Sequence, residues 1–308
     1  MNWPNDKEFA FTVFDDTDNS TIENTKPVYD LLLDLKIRTT KSVWIYPPRG
    51  RFSGQCLSDP AYLEWVRELQ SRGFEIGLHN VGDGAFLREE ILAGIELFQQ
   101  LLGNFPRIHA NHASNPDNIY WLKDRFNWPF DFLYEIYCIL KKRPQATSLG
   151  SLPGSPYFWG DVCKQHVDYI RNFTCRNINT LDFNPSMPYI DLKKNAYSNR
   201  WFSSSDAQTV EEFCDLLRPE SIDRLRSEGG ACIVYTHFAS GFVDARGEVV
   251  PLFRKRMEYL ASLNGFFEPT STLLDYLKSG QDESLAYERP SVGKWLTDRI
   301  IKKIKYKR

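Results

Sequence analysis

The stretch that decides the fold is residues 9–16, FAFTVFDD, in which six uncharged and mostly apolar residues precede Asp15 and Asp16. A short apolar run of this length predicts a buried β-strand. The two carboxylates stand where that strand would pass into a loop. Adjacent like charges at such a point are unfavourable unless a positive group lies beside them, and a divalent metal ion commonly supplies that charge.

The rest of the chain alternates between strand and helix patterns. Strands are predicted at Phe9–Phe14, Ser42–Tyr46, Phe74–Leu78, Ile108–Ala110, Arg200–Ser203, Ala231–Tyr235 and Phe266–Phe267. Helices are predicted at Lys26–Leu35, Tyr62–Gln70, Phe86–Leu102, Asp117–Phe126, Val210–Arg226, Pro251–Leu263 and Ser271–Lys278. This alternation indicates an α/β fold with a parallel sheet, either closed into a barrel or doubly wound. Residues 131–199 are rich in aromatic residues, proline and glycine, and no strand is assigned there.

Composition bounds the class of protein. The 308 residues suffice for one large domain, and 38 basic residues nearly balance 40 acidic ones, so no global field favours nucleic acid. Six cysteines without paired spacing indicate reduced thiols. The sequence shows neither a signal peptide nor a membrane-spanning apolar run, and we expect a cytoplasmic protein.

The C-terminal end has a composition of its own. We expect residues 1–290 to form the single barrel domain and residues 291–308 to form a basic amphipathic tail. From Lys294 onward there are seven basic residues and one acidic residue, interleaved with tryptophan, leucine and isoleucine. Such a segment could lie on the inner face of an anionic membrane as a peripheral contact. A solvated tail, or a helix packed on the domain, is the alternative.

Polar residues recur just after the predicted strands. In a parallel α/β barrel the carboxyl ends of the strands meet at one face, so these side chains should converge. The set comprises Asp15, Asp16, His79, Asp83, Asn111, His112, Asp206 and His237. Carboxylates and imidazoles converging in this way can bind a transition metal such as zinc and leave a position open for water.

Three segments resemble the polysaccharide deacetylase (NodB-type) family. FTVFDDT at residues 11–17 is similar to its TFDDG motif, and SRGFEIGLH at residues 71–79 is similar to the segment that opens its H-x-x-x-H metal pair. ACIVYTH at residues 231–237 is similar to the late strand that ends in its catalytic histidine, and residues 266–277 resemble its closing strand and helix. The similarity covers both ends of the chain and little of the middle.

The resemblance implies a distorted (β/α) barrel, with mostly parallel strands, that removes an acetyl group from an N-acetylated sugar. It implies Asp15 as the general base, Asp16 and His79 as metal ligands, and His237 as the acid that protonates the leaving amine. The implied cofactor is a divalent metal, zinc first, with cobalt, manganese or nickel as alternatives. The implied partner is an N-acetylated sugar or a lipid-linked or nucleotide-linked glycan.

The sequence also departs from the family pattern. The second histidine of the metal pair falls on Asp83, and either Asp83 or His112 could complete the site. By position alone, Arg107 is expected to keep Asp15 ionised and Asp206 to orient His237. Asn111, Tyr157 and Trp201 are candidates for contact with the sugar.

Two other functions remain open at this stage. Asp16-Thr17-Asp18 also resembles the DxD motif of haloacid-dehalogenase-type phosphatases, in which the first aspartate attacks phosphorus and the second acts as acid and base. A catalytically inactive barrel that binds carbohydrate is the non-enzymatic alternative, because the expected second histidine of the metal pair is replaced.

Overall fold

A parallel barrel forms the centre of the computed structural model, which describes residues 3–113, 115–142, 148–282, 285–287, 289–297 and 299. Its strands are β1 (Phe9–Asp15), β2 (Thr40–Val43), β3 (Glu75–Leu78), β4 (Ile108–Ala110), β5 (Tyr169–Cys175), β6 (Arg200–Asp206), β7 (Ala231–Thr236) and β8 (Gly265–Phe266). The first seven strands pair in the order of the chain, and β7 returns to β1, which closes the barrel. The predicted barrel is therefore confirmed over its doubly wound alternative.

The strand β1 is the seam of this barrel. One of its edges pairs with β7 from Ala10 to Asp15. The other edge is shared: its first two residues pair with β8, and its last two pair with β2 in the register Phe14 to Thr40 and Asp15 to Lys41. All of these pairings are parallel, so the carboxyl ends of the strands share one face.

Strand alternation separates two apolar cores. Side chains at every second position, such as Ala10 and Phe14 of β1, fill the inside of the barrel together with Tyr169 and Phe202. The intervening side chains, such as Phe11 and Val13, pack outward against the surrounding helices. Both faces of β1 are buried, which is why its sequence is almost continuously apolar.

Helices connect and surround the strands. They are α1 (Ile22–Asp34), α2 (Pro60–Ser71), α3 (Arg88–Leu102), α4 (Phe130–Leu140), α5 (Gly160–His166), α6 (Thr180–Phe183), α7 (Val210–Leu216), α8 (Pro219–Ser227), α9 (Pro251–Ala261) and α10 (Thr270–Ser279). Leucines of α10 and the buried Trp3 pack on the interior cluster. Within the described residues, no helix is long and apolar enough to span a membrane.

The structure corrects three predicted elements. The helix expected at 117–126 is reduced to the 3₁₀ turn Lys123–Arg125. The helix expected at 210–226 is two helices, because Pro219 lacks the N–H that a continuing helix needs and instead begins α8. The unassigned middle of the chain contains β5 and α4. All six cysteines are buried and free of disulfides.

The tail begins as part of the domain surface. Residues 292–297 are helical. Trp295 is buried against Phe126 and Phe173, with ring centroids 5.4 and 5.8 Å away. Most of the predicted amphipathic segment, residue 298 and residues 300–308, lies outside the described residues.

Candidate metal centre

Three side chains converge at the carboxyl ends of the barrel strands. Oδ1 of Asp18 lies 3.3 Å from Nε2 of His79 and 3.2 Å from Nε2 of His112. All three residues are buried, and one potential ligand atom from each lies within 4.8 Å of the other two. They come from three separate segments, following β1, β3 and β4.

This set fits a divalent metal. Zinc binds nitrogen and carboxylate oxygen at about 2.0–2.2 Å, so two ligands of a tetrahedral ion are roughly 3.3 Å apart. The oxygen-to-nitrogen separations of 3.3 and 3.2 Å match that edge length. Asp18 Oδ1 is also buried without a hydrogen bond of normal geometry. Two imidazoles and one carboxylate leave a fourth position for water, as in catalytic zinc sites.

Hydrogen bonds to neighbouring residues orient the two imidazoles. Nδ1 of His79 lies 2.8 Å from the carbonyl oxygen of Ala110, which it can donate to while Nε2 faces the cluster. Asn80 accepts a hydrogen bond from the backbone N–H of His112, and the amide of Asn80 donates to Asp117. The segment after β3 therefore positions one imidazole directly and the other through its backbone.

Asp83 supports the cluster from outside it. One oxygen of Asp83 accepts a hydrogen bond from the backbone N–H of Phe52, and the other lies 3.7 Å from Nδ1 of His112. That nitrogen is on the side of the ring away from Asp18. The geometry therefore places His112, and not Asp83, beside Asp18 and His79, with Asp83 next to the other nitrogen of the His112 ring.

His237 approaches Asp18 from the opposite oxygen. Its Nε2 lies 3.3 Å from Oδ2 of Asp18 and 3.5 Å from the hydroxyl of Tyr235. Burial favours the neutral imidazole, but the contact with Asp18 and the charge of Asp16 outweigh it and raise the pKa of His237. A histidine whose pKa is raised, next to Asp18, is suited to donate a proton.

Asp16 forms a bidentate ion pair with Arg171 of β5. The guanidinium donates to both carboxylate oxygens at 2.7 and 2.6 Å, and it stacks over the ring of Tyr235. Burial opposes ionisation of Asp16, but Arg171 and His79 together lower its pKa. Asp16 is thus an ionised carboxylate 3.7 Å from Nε2 of His79.

Asp15 is enclosed on the other side of β1. It accepts hydrogen bonds from the hydroxyl of Tyr29, the Nζ of Lys41 and the backbone N–H of Phe238. Asp15 and Lys41 are register partners on adjacent strands, and both are completely buried. Burial raises the pKa of Asp15, against the opposing charge of Lys41. Both oxygens of Asp15 are therefore occupied by structural donors.

Solved structures share this architecture. A presumed polysaccharide deacetylase from Mycobacterium smegmatis matches with a TM-score of 0.52 at 13% identity, over 94% of this chain and 97% of its own. The chain has the polysaccharide deacetylase fold. A presumed polysaccharide deacetylase from Pseudomonas aeruginosa PAO1 matches at 0.51 and 11%, over 91% and 94% of the two chains. PuuE allantoinase matches at 0.53 and 11%, over 91% and 93%. No protein-family profile and no curated protein sequence matches the chain.

Several residues expected at the centre of this deacetylase-type barrel lie elsewhere. Arg107 precedes β4 and pairs with Asp168 and Asp275, so it does not hold Asp15. Asp206 accepts a hydrogen bond from the side chain of Gln208, whose carbonyl oxygen lies 3.4 Å from Nδ1 of His237. The connection from Asp206 to His237 therefore runs through Gln208.

The three residues predicted to contact the sugar lie in three different parts of the structure. Asn111 exchanges hydrogen bonds with the backbone of Ile119 and braces the loop after β4. Trp201 is fully buried in the core between barrel and helices. Tyr157 is half-buried in a loop whose Pro156 carbonyl accepts a hydrogen bond from the N–H of Arg88, at the start of α3. The surroundings of Asn111 and Trp201 favour structural roles over contact with a sugar, and Tyr157 stays a prediction.

Three residues of the centre were not predicted as site residues. Asp18 was noted only as part of the DxD pattern, and its spacing from Asp16 is the signal that could have identified it. Arg171 lies in the segment where no strand was assigned, and the sequence YIRNF at residues 169–173 shows neither an alternating pattern nor an uninterrupted apolar run. Lys41 gave a weaker signal, a lone lysine directly before a predicted strand.

Proposed function

We propose that this protein is a metal-dependent deacetylase that hydrolyses the acetyl amide of an N-acetylated sugar. The observation that supports the proposal most directly is the convergence of Asp18, His79 and His112, with Asp16 and His237 beside them. A metal held there would lower the pKa of bound water and polarise the amide carbonyl. Zinc is the first candidate, and cobalt, manganese or nickel could take its place.

The proposed roles of the carboxylates follow from their contacts. Asp18 and the two histidines would hold the metal. Asp16 would accept the proton of the attacking water, because Arg171 keeps it ionised while it faces the centre. His237 would deliver a proton to the leaving nitrogen. This assignment moves the base from Asp15 to Asp16, and the carboxylate ligand from Asp16 to Asp18.

The substrate class rests on the resemblance of the motifs and on the polysaccharide deacetylases among the similar structures. We propose an N-acetylated sugar or a lipid-linked or nucleotide-linked glycan precursor, handled in the cytoplasm. The similar allantoinase shows that the fold by itself does not select a sugar. A substrate panel should therefore include allantoin beside the N-acetyl sugars.

The geometry does not favour the phosphatase alternative. In that mechanism the second aspartate acts as acid and base, but Asp18 lies 3.2–3.3 Å from the imidazoles of His79, His112 and His237, which have no role in a phosphatase of this type. Metal affinity distinguishes the proposed enzyme from an inactive sugar-binding barrel. Titration of the purified protein with zinc, cobalt and manganese should give one tight site per chain in the wild type. His79→Ala should lose that site, and a wild type that binds none of the three metals would support the inactive barrel.

The catalytic test is release of acetate from the panel by the metal-loaded protein. We expect turnover by the wild type and strong losses in Asp16→Asn and His237→Ala, both of which should keep their metal. Asp15→Asn is the comparison variant. Its rate should fall only in proportion to the fraction of the protein that is folded. Equal rates in all four proteins would contradict the assigned roles. Faster hydrolysis of p-nitrophenyl phosphate than of any amide would favour the phosphatase.

A further inference from the structure

Helix α4 is apolar on both of its sides. Residues 130–140 read FDFLYEIYCIL. One side places Phe130 and Tyr134 against a buried cluster that includes Phe126, Phe173 and Trp295. This contact attaches the helix to the barrel, so the opposite side of α4 faces away from the domain.

That opposite side is a stripe of large exposed side chains. Phe132, Leu133, Ile136, Ile139 and Leu140 recur at helical spacing, which brings them onto one face. Leu140 is 76% exposed and Ile139 is 70% exposed. Trp128, just before the helix, is 78% exposed. A contiguous apolar surface of this kind on a globular domain indicates a binding surface.

Basic residues lie at the C-terminal end of this stripe, and of the two acidic residues of α4, Asp131 and Glu135, the second is paired with Lys123 at 3.6 Å. Lys141 and Lys142 follow α4 directly and are exposed, and the sequence continues with Arg143. The basic C-terminal tail, defined above as residues 291–308, starts at the same place, because its Trp295 is part of the cluster on which α4 packs. The net charge of the whole chain is only −2, so this concentration of positive charge is local.

We propose that the exposed stripe of α4 is a membrane-docking surface that inserts into the interfacial region of an anionic lipid bilayer. The apolar side chains would enter the boundary between headgroups and acyl chains, with Trp128 at the level of the headgroups. Lys141 and Lys142, together with the exposed Lys294 and Arg299 of the tail, would supply the attraction to anionic lipid. Two signals of this kind, apolar and polybasic, are what stable peripheral binding requires.

Length excludes one other occupant. At 11 residues, α4 is too short to span a bilayer, which takes about 20. A second copy of the chain could cover the stripe in a two-fold dimer, and the oligomeric state in solution separates that case from lipid binding. A surface contact with lipid is consistent with both the apolar stripe and the basic residues at its end.

The position of α4 relates this surface to the metal centre. The helix belongs to the connection between β4 and β5, which leaves the carboxyl end of β4 and also contains His112. It packs near Phe173, which lies two residues beyond Arg171 toward the carboxyl end of β5. Docking through α4 would bring the catalytic end of the barrel close to the lipid surface. This inference rests on the proposed function: a catalytic end close to the lipid surface favours a lipid-linked glycan over a nucleotide-linked one as the substrate.

The test is co-sedimentation of the full-length protein with vesicles of phosphatidylcholine alone or mixed with phosphatidylglycerol. We expect binding to the anionic vesicles that weakens at high salt. Ile139→Glu/Leu140→Glu should reduce the partition roughly tenfold or more, because two apolar anchors become charges. Leu252→Glu, at an exposed leucine of α9, is the matched control and should bind like the wild type.

Each other outcome would overturn the proposal. A wild type that does not bind, or that binds both kinds of vesicle equally, would contradict an anionic membrane as the partner. Equal binding by Ile139→Glu/Leu140→Glu would exclude the stripe. A concentration-dependent dimer that this double variant abolishes, with no vesicle binding, would identify a second copy as the occupant.

The outcome is separable from that of the proposed function. Vesicle binding needs no catalysis, so His79→Ala should still bind. The stripe variant should still deacetylate a short soluble N-acetyl sugar at the wild-type rate. Vesicle binding without any amide hydrolysis would leave the docking surface in place and contradict the deacetylase alone.

Discussion

Asp15 and Asp16 are adjacent, identical and buried, yet the structure gives them opposite surroundings. Asp15 lies between the barrel and its helices, where Tyr29, Lys41 and the N–H of Phe238 occupy its oxygens. Asp16 faces the barrel mouth, beside Arg171 and His79. Successive side chains of a strand point to opposite faces. Asp15 therefore belongs to a structural ion pair, and Asp16, the next residue, is the candidate base. The following predictions test that division.

The largest effect is expected from Asp16→Asn. An amide cannot accept the proton that a carboxylate takes, so we expect kcat to fall by about 10²–10⁴-fold. Because Asp18, His79 and His112 are intact, the variant should still bind one metal ion. Steady-state acetate release and metal analysis on the same sample would check both. If Asp15→Asn lost as much kcat while remaining folded, the two aspartates would not be divided as proposed.

A second expected effect concerns stability. Lys41→Met removes the cation from a fully buried ion pair and leaves Asp15 without its charged partner. Breaking such a pair from one side destabilises by about 3–5 kcal/mol. Urea denaturation followed by circular dichroism would measure the change, and Lys26→Met, at an exposed ion pair, is the control with little expected loss. Equal stability of the two variants would show that the Asp15–Lys41 pair is not structural.

Tyr29→Phe should have a smaller effect on the same side of β1. It deletes the hydroxyl that donates to Asp15 at 2.8 Å and keeps the ring that packs on Trp65 and Phe238. Loss of a buried hydrogen bond to a carboxylate destabilises by about 1.5–3 kcal/mol. The kcat per folded molecule should not change. A large loss of kcat with normal stability would connect Asp15 to the chemistry after all.

The Lys41→Met variant should also show a pH dependence of its stability, which sharpens the second prediction. Burial already raises the pKa of Asp15 above 3.8, and removal of Lys41 should raise it further. A carboxyl group with a raised pKa in the folded state stabilises below its unfolded pKa and loses that contribution as pH rises. The stability deficit of the variant should therefore grow between about pH 5 and pH 8, by at most roughly 1.4 kcal/mol per pH unit. Denaturation curves across that range would check it, and a deficit that shrinks with pH would contradict a buried, charged Asp15.

Local patterns predicted most of the fold. The alternation of apolar runs and helical patterns indicated the parallel strands, because each run is a strand buried on both faces. The helix predicted at 117–126 was wrong because polar residues of this segment hydrogen-bond within the loop. Asn118, for example, donates to the carbonyl of His112. Strand β5 was missed because its polar residues, Arg171 and Asn172, obscure the apolar run.

The candidate site was predictable only in part. His79, His112 and His237 could be located because strand ends share one face of a parallel barrel. Arg107 was placed wrongly, because it precedes its strand and so lies at the opposite end of the barrel from the centre. Arg171 could not be paired with Asp16 from the sequence, since 154 residues lie between them and only barrel closure brings them together.

By itself, the sequence determined that Asp15 and Asp16 end a buried strand and that their side chains point to opposite faces. It could not determine which aspartate points inward, because both faces of β1 are equally apolar and carry no inside or outside signal. The tertiary structure decided this through register. Pairing with β2 sets Asp15 beside Lys41 in the outer layer. The same register turns Asp16 toward Arg171 and His79, where its charge is compensated.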